Sequence, residues 1–157
     1  MIESFPILVD PAPSLRQRSA AVEPTQIATL SFQQFLDTLT HTMFVNDGIG
    51  IAAPQVGKNI RAIIVNLKRG GPTAFINPVL IKTSAATHLS EEACLSVPGK
   101  YGLVNRHKRV TMQALSRHGR LVEYAINGLF ACVFQHEIDH LDGILFTDRA
   151  IEVFKTR

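Results

Sequence analysis

With 157 residues, 46% of them hydrophobic and 18% charged, and a formal net charge of +3, the chain can build one domain with a sizeable core but not two comfortable ones. No apolar run approaches the ~18 residues of a transmembrane helix, the basic residues are scattered rather than massed for nucleic acid, and Met1-Ile2-Glu3-Ser4 has neither a secretory nor an Arg-rich organelle pattern. Two cysteines without a leader suit reduced thiols, so a cytoplasmic location is expected.

In chain order, residues 1–23 carry Pro6, Pro11 and Pro13, which interrupt any regular element, and read as an extended arm laid over the domain. Glu23-Pro24-Thr25 is a helix start, and from there Ile27, Leu30, Phe35, Leu36, Leu39 and Met43 recur at helical spacing. The spacing predicts one amphipathic helix of about five turns, ending at the turn signal Asn46-Asp47-Gly48. Gly48-Ile49-Gly50-Ile51-Ala52-Ala53-Pro54-Gln55 then sets small residues where backbone must lie close to a neighbouring strand or to a ligand. Residues 60–65 and 73–76 are β-rich and are joined across 66–72 by a hairpin loop, and Val79-Leu80-Ile81 extends the sheet past Pro78. Residues 91–99 form a short strand-like run closed by Pro98-Gly99. Arg106-His107-Lys108-Arg109, the one basic cluster, reads as a solvated strand end. A second hairpin is expected where 110–115 and 121–126 flank Arg117-His118-Gly119-Arg120.

Asn127 is a plausible N-cap and Gly143 a plausible C-terminal stop for a helix from about Gly128 to Asp142. Its first half, Leu129-Phe130-Ala131-Cys132-Val133-Phe134, is apolar all round and therefore buried. Its second half is Gln135-His136-Glu137-Ile138-Asp139-His140. At ~3.6 residues per turn His136 and His140 share one face and can reach one divalent ion. Glu137 is offset by about 100°, placed to move protons without ligating. This is the H-E-x-x-H pattern of metal-assisted hydrolysis. Asp139 opposes the helix dipole so close to the C-terminal end, and an ion pair with Arg106 is expected. Residues 150–157 read as a short tail. The elements predict an α+β fold in a single domain, with mixed or antiparallel sheets around the central metal-binding helix and an N-terminal helix beside them.

Two His do not complete a catalytic site, because zinc-like ions usually take three protein ligands and leave one position for water. Metzincin spacing would place a third His where the chain has Phe146, and no later helix of useful length offers a Glu. Cys132 lies one turn before His136, but three ligands in a row along ~12 Å of helix do not converge on one ion, so it reads as a pocket wall. Cys94, on a strand beside the helix, could bring its thiolate to both imidazoles. The alternative is an ordinary buried thiol.

At these residues the chain resembles peptide deformylases. Gly48 through Gln55, Glu92-Ala93-Cys94-Leu95-Ser96 and Gln135 through His140 are similar to the three signature motifs of that family, in the family's order. Ile76-Asn77-Pro78 and Gly128-Leu129 extend the likeness over nearly the whole chain. The resemblance implies one catalytic domain over residues 1–157 that removes the N-formyl group from formyl-methionine of new polypeptides and releases formate. It implies a divalent ion on Cys94, His136 and His140, natively Fe(II), with zinc, nickel or cobalt accepted by the same ligands. Glu137 would be the proton shuttle, and the Gln55 side-chain amide and Leu95 backbone N–H the oxyanion donors. Ile49, Leu129, Cys132 and Val133 are candidate walls of a methionine slot, and the peptide would add as a strand beside Ile49-Gly50. The expected partners are formyl-methionyl nascent peptides with transient ribosome contact, and neither nucleic acid nor membrane. One departure is Ala93, where the family usually has Gly. If that position needs φ > 0 or close substrate approach, its Cβ would strain the strand or narrow the groove. Reduced or altered activity, or a non-enzymatic metal- or peptide-binding role, is then the alternative. The chain also stops without the long C-terminal helix of some members.

Overall fold

The structure is a computed structural model that describes residues 3–157, so the first two residues of the predicted arm lie outside it. Two antiparallel sheets enclose one helix. The larger sheet is ordered β1 (Gly50–Ala52), β2 (Ala62–Leu67), β3 (Gly71–Thr83), β6 (Arg109–Leu115), β7 (Leu121–Asn127); the smaller is β4 (Thr87–Cys94), β5 (Val97–His107), β8 (Glu152–Lys155). Between them lies α3 (Gly128–Leu141), with α2 (Leu30–Val45) on the outer face of the larger sheet. The α+β expectation is met, with every pairing of named strands antiparallel.

Burial on both faces explains the continuous apolar run of β2. Ile63 and Val65 pack toward α3, while Ala62 and Ile64 pack under α2. Phe134 of α3 is fully buried and meets Phe75 of β3 edge-on, with ring centroids 5.1 Å apart. Truncating such an aromatic costs ~3–5 kcal/mol, so α3 is anchored to the sheet by its apolar half while its polar half faces β4. The hairpin after β2 is tighter than expected, turning through Lys68, Arg69 and Gly70, and Gly70 supplies φ +103°. Beyond Pro78 the sheet does continue, through bulges, as β3 pairs with β6.

The predicted first helix is in fact two. α1 (Pro24–Ile27) ends, and Thr29 starts α2 as an N-cap in extended conformation, its hydroxyl accepting from Phe32 N–H at 3.3 Å. A Thr side chain offers the backbone an alternative to the helical ladder, and here that alternative wins. The break rotates Leu30 out of the core, and it is 73% exposed.

The smaller sheet was the least visible. Its long β5 contains Pro98, Gly99 and Gly102, residues that weaken a strand pattern. Gly102 is nonetheless required: a Cβ there would lie 2.9 Å from the Glu152 carbonyl oxygen and 3.1 Å from the Phe146 ring. That close approach admits α4 (Phe146–Arg149) and β8, so the segment read as a short tail is a strand paired to β5. The basic cluster is also corrected. Lys108 and Arg109 are exposed, but Arg106 is only 3% exposed, drawn inward by carboxylates.

The arm is irregular apart from a 3-10 turn at Pro13–Arg16. Its backbone N–H groups are directed at specific places. Leu8 donates to Gln55 O, Asp10 to Ser96 O and Ser19 to Leu141 O, each at 2.8 Å. One extended segment thus ties together the turn after β1, the turn after β4 and the end of α3.

Candidate metal centre

Three segments converge between β4 and the second half of α3. Alternation along β4 turns Ser90, Glu92 and Cys94 toward the helix. A register shift between Ala93 and Cys94 re-aims the thiol at the end of the strand. His136 and His140 project from α3 with ring centroids 5.1 Å apart. Cys94 Sγ lies 3.3 Å from His140 Nε2, and one donor atom from each of Cys94, His136 and His140 falls within 4.8 Å of the others. Ligands of a tetrahedral ion with bonds of ~2.0–2.3 Å sit roughly 3.3–3.8 Å apart, so the spacing fits one ion after a small contraction.

The surroundings suit that fit. His136 Nδ1 is 2.8 Å from Glu92 Oε1, so with the proton on Nδ1 its Nε2 carries the free lone pair. Burial holds His140 well below the usual imidazole range, which keeps it neutral and able to ligate. Arg106 grips Glu92 with Nε at 2.8 Å and Nη2 at 2.9 Å, and reaches Asp139 with Nη1 at 2.7 Å. The expected Asp139–Arg106 pair is therefore present. Burial alone would raise the Glu92 carboxyl, but Arg106 and His136 outweigh it and hold the carboxyl at about 2. Glu92 was not singled out from the sequence, although a residue two before Cys94 in a strand must share its face.

Glu137 points into the same space. It is 5% exposed, its Oε2 has no hydrogen-bond partner among the described residues, and burial pushes it up to about 7. A carboxyl at that value both accepts and returns a proton near neutrality. Gly50 makes room for it: a Cβ there would stand 2.6 Å from Glu137 Oε1. Gln55 follows in a 3-10 turn (Ala53–Val56), where its Oε1 accepts from Ala52 N–H at 2.9 Å. That bond fixes the amide, sending Nε2 toward Ser96 Oγ at 3.2 Å and Cys94 Sγ at 3.7 Å.

These groups open on a cavity of about 500 Å³. Its lining includes Gln55, Cys94, Leu95, His136 and Glu137, and all the predicted walls, Ile49, Gly50, Leu129, Cys132 and Val133. Ile49 and Leu129 form an exposed apolar rim. Ser90, which sequence reasoning missed, lines it as well, and Cys132 Sγ lies 3.3 Å from His88 Nε2 behind the wall. Ala93 also borders the cavity, but it is exposed, pairs with Tyr101 and is not among the positive-φ residues. The expectation of strain at Ala93 is therefore overturned: this strand conformation accepts a Cβ.

The family model described as polypeptide deformylase matches residues 4–155. A peptide deformylase of Desulforudis audaxviator is 38% identical over 98% of this chain and 97% of its own. Among solved structures, a peptide deformylase from Thermotoga maritima has a TM-score of 0.90 at 35% identity, covering 96% of this chain and 99% of that one. A Met-Ala-Ser-bound class I type b peptide deformylase from Acinetobacter baumannii has a TM-score of 0.90 at 34% identity, covering 95% and 99%.

Proposed function

Since the chain belongs to the polypeptide deformylase family, we propose that it hydrolyses the N-formyl amide of formyl-methionyl peptides, giving formate and a free amino terminus. The grouping of Cys94, His136 and His140, beside a cavity lined by Cys94, His136 and Glu137, carries this reading. Cys94, His136 and His140 would hold a divalent ion, which would supply Lewis acidity to a carbonyl oxygen and to water at neutral pH. We assign Fe(II) as the native ion, with zinc, nickel or cobalt fitting the same ligands.

Glu137 takes the proton of the attacking water and returns it to the departing amine as the C–N bond breaks. The Gln55 amide, whose orientation is fixed by Ala52, and the Leu95 N–H donate to the oxygen that gains charge. Leu129, Cys132 and Val133 supply the apolar surface for the methionine side chain. Ile49 and Gly50 lie at β1, the edge strand of the larger sheet, where a peptide backbone adds by strand pairing. The Met-Ala-Ser complex of the Acinetobacter relative supports a peptide of this kind in the groove. Residues 1–157 act as one catalytic domain, in the cytoplasm, in transient contact with the ribosome as chains emerge.

Anaerobic purification, metal analysis and formate release from formyl-Met-Ala-Ser test the reading. Stoichiometric metal with formate release, abolished in Glu137→Ala, is expected; bound metal without formate release refutes it. Co-sedimentation with ribosomes tests the contact, and failure to co-sediment at low salt removes it.

A further inference from the structure

The charge network behind His136 continues past Arg106. Arg149, at the end of α4, donates from Nε to Asp139 Oδ2 at 2.7 Å and from Nη2 to Oδ1 at 3.0 Å. Arg106 Nη1 shares the same Oδ2 at 2.7 Å. From the surface inward the order is Arg149, Asp139, Arg106, Glu92, His136: cation, anion, cation, anion, imidazole. Every joint is a hydrogen bond of 2.7 to 3.0 Å. The side chains of the inner four are 3–11% exposed, while that of Arg149 is 47% exposed.

Two carboxylates and two guanidiniums balance along this path. Without Arg149, Asp139 and Glu92 would compete for the single guanidinium of Arg106. Asp139, with two lone-pair sites emptied, would draw Arg106 toward α3. Any such shift loosens the two-point grip on Glu92, whose Oε1 is the partner of His136 Nδ1. A network of this kind acts as a unit rather than as separate pairs.

We propose that Arg149 is a positioning residue for the metal centre, holding the His136 ring in its ligating orientation through Asp139, Arg106 and Glu92. The inference rests on His136 being a ligand, as assigned above. An ordinary exposed ion pair contributes ~0–1 kcal/mol and would leave the centre untouched. The fold contains its own control, because Arg16 pairs with Asp148 on the same short helix and has no link of this kind to His136.

The test uses the protein loaded anaerobically with cobalt(II), reading the d–d absorption and the rate of metal release to a chelator. Partners beyond the ligands typically alter metal affinity 10–100-fold, so at this greater remove Arg149→Met is expected to speed release about fivefold and to change the d–d band. Arg149→Lys, which keeps the charge without the planar fork, should recover part of the loss. Arg16→Met should stay within about twofold of the parent, and Arg149→Met in an Asp139→Asn background should add nothing further. A parental spectrum and release rate for Arg149→Met overturns the proposal, as does an equal effect from Arg16→Met, a further effect in the Asp139→Asn background, or failure to bind cobalt at all. Because the readout is metal retention, an intact centre that fails to release formate counts against the deformylase reading and leaves this one standing.

Discussion

Gly50→Ala strikes the proposed proton shuttle without touching it directly. Gly50 does not have a positive φ, so the strand accepts alanine, and the three atoms nearest the added Cβ all belong to Glu137: Oε1 at 2.6 Å and Cδ and Cγ at 3.0 Å. Ordinary contact begins at 3.4 Å, so Glu137 must retreat by roughly 0.8 Å, into a helix face already packed against β1 and β2. Displacement of about 1 Å at a reacting group costs on the order of 100-fold, and a general acid–base contributes ~10²–10⁴-fold in all. The expected result is a 10–100-fold fall in kcat/KM, on the scale of ~1.4–2.7 kcal/mol of transition-state stabilisation. Overpacking of ~1–3 kcal/mol is partly offset by the ~0.4–1 kcal/mol that alanine removes from the unfolded chain's entropy, so the melting temperature should drop only modestly. Formate release, metal content and thermal unfolding would be measured together, in Gly50→Ala, Glu137→Ala and the double variant. The double variant should be no slower than Glu137→Ala. Activity within twofold of the parent in Gly50→Ala, or an equal loss on top of Glu137→Ala, would refute the steric argument.

Glu92→Gln removes the carboxylate that Arg106 and His136 share, and is expected to weaken metal binding 10–100-fold in a chelator competition while costing ~3–5 kcal/mol in denaturant unfolding. The same group sets an acid limb. Its folded value of about 2 lies below the ordinary 4.5, so its contribution of ~3 kcal/mol is complete above pH 4.5 and is lost as pH falls toward 2. Urea unfolding at pH 5 and pH 3 should show that loss in the parent and a flatter response in Glu92→Gln. Thr29→Ala deletes the N-cap of α2, far from the cavity, and should cost ~1 kcal/mol of stability with kcat/KM unchanged. Gly143→Ala drives a Cβ into the Arg16 carbonyl oxygen at φ +74°, and should destabilise by on the order of 2–4 kcal/mol and lower activity by unseating the arm; retention of parental melting would contradict the contact.

What was legible in the sequence follows from how local each relation is. His136, Glu137 and His140 sit within one helix, whose period fixes their faces before any tertiary contact forms. The pairing of Asp139 with a cation could be anticipated from the helix dipole alone. Glu92 as the partner of Arg106 and His136 depends on the register of β4 against β5, and that strand was masked by Pro98, Gly99 and Gly102, of which Gly99 takes a positive φ and Gly102 a close packing position. Ala93 looked strained only while its dihedral was unknown. The division of the first helix at Thr29 turns on two hydroxyl-to-backbone bonds, one donated to Gln26 O and one accepted from Phe32 N–H, a choice that apolar periodicity does not register. The arm itself was legible from Pro6, Pro11 and Pro13, but its docking points were not, because its anchoring bonds come from backbone N–H groups that every non-proline residue carries.

That arm has a consequence in time. Leu8, Asp10 and Ser19 are made before their acceptors on Gln55, Ser96 and Leu141, which appear successively. At ~5–20 residues per second the arm waits on the order of ten seconds before it can close on its final partner. Contacts of such separation are the slow ones to form, so the three segments are drawn into register late and together. Catalytic competence thus waits on α3: a product halted before it would carry an arm whose last docking point had never been made.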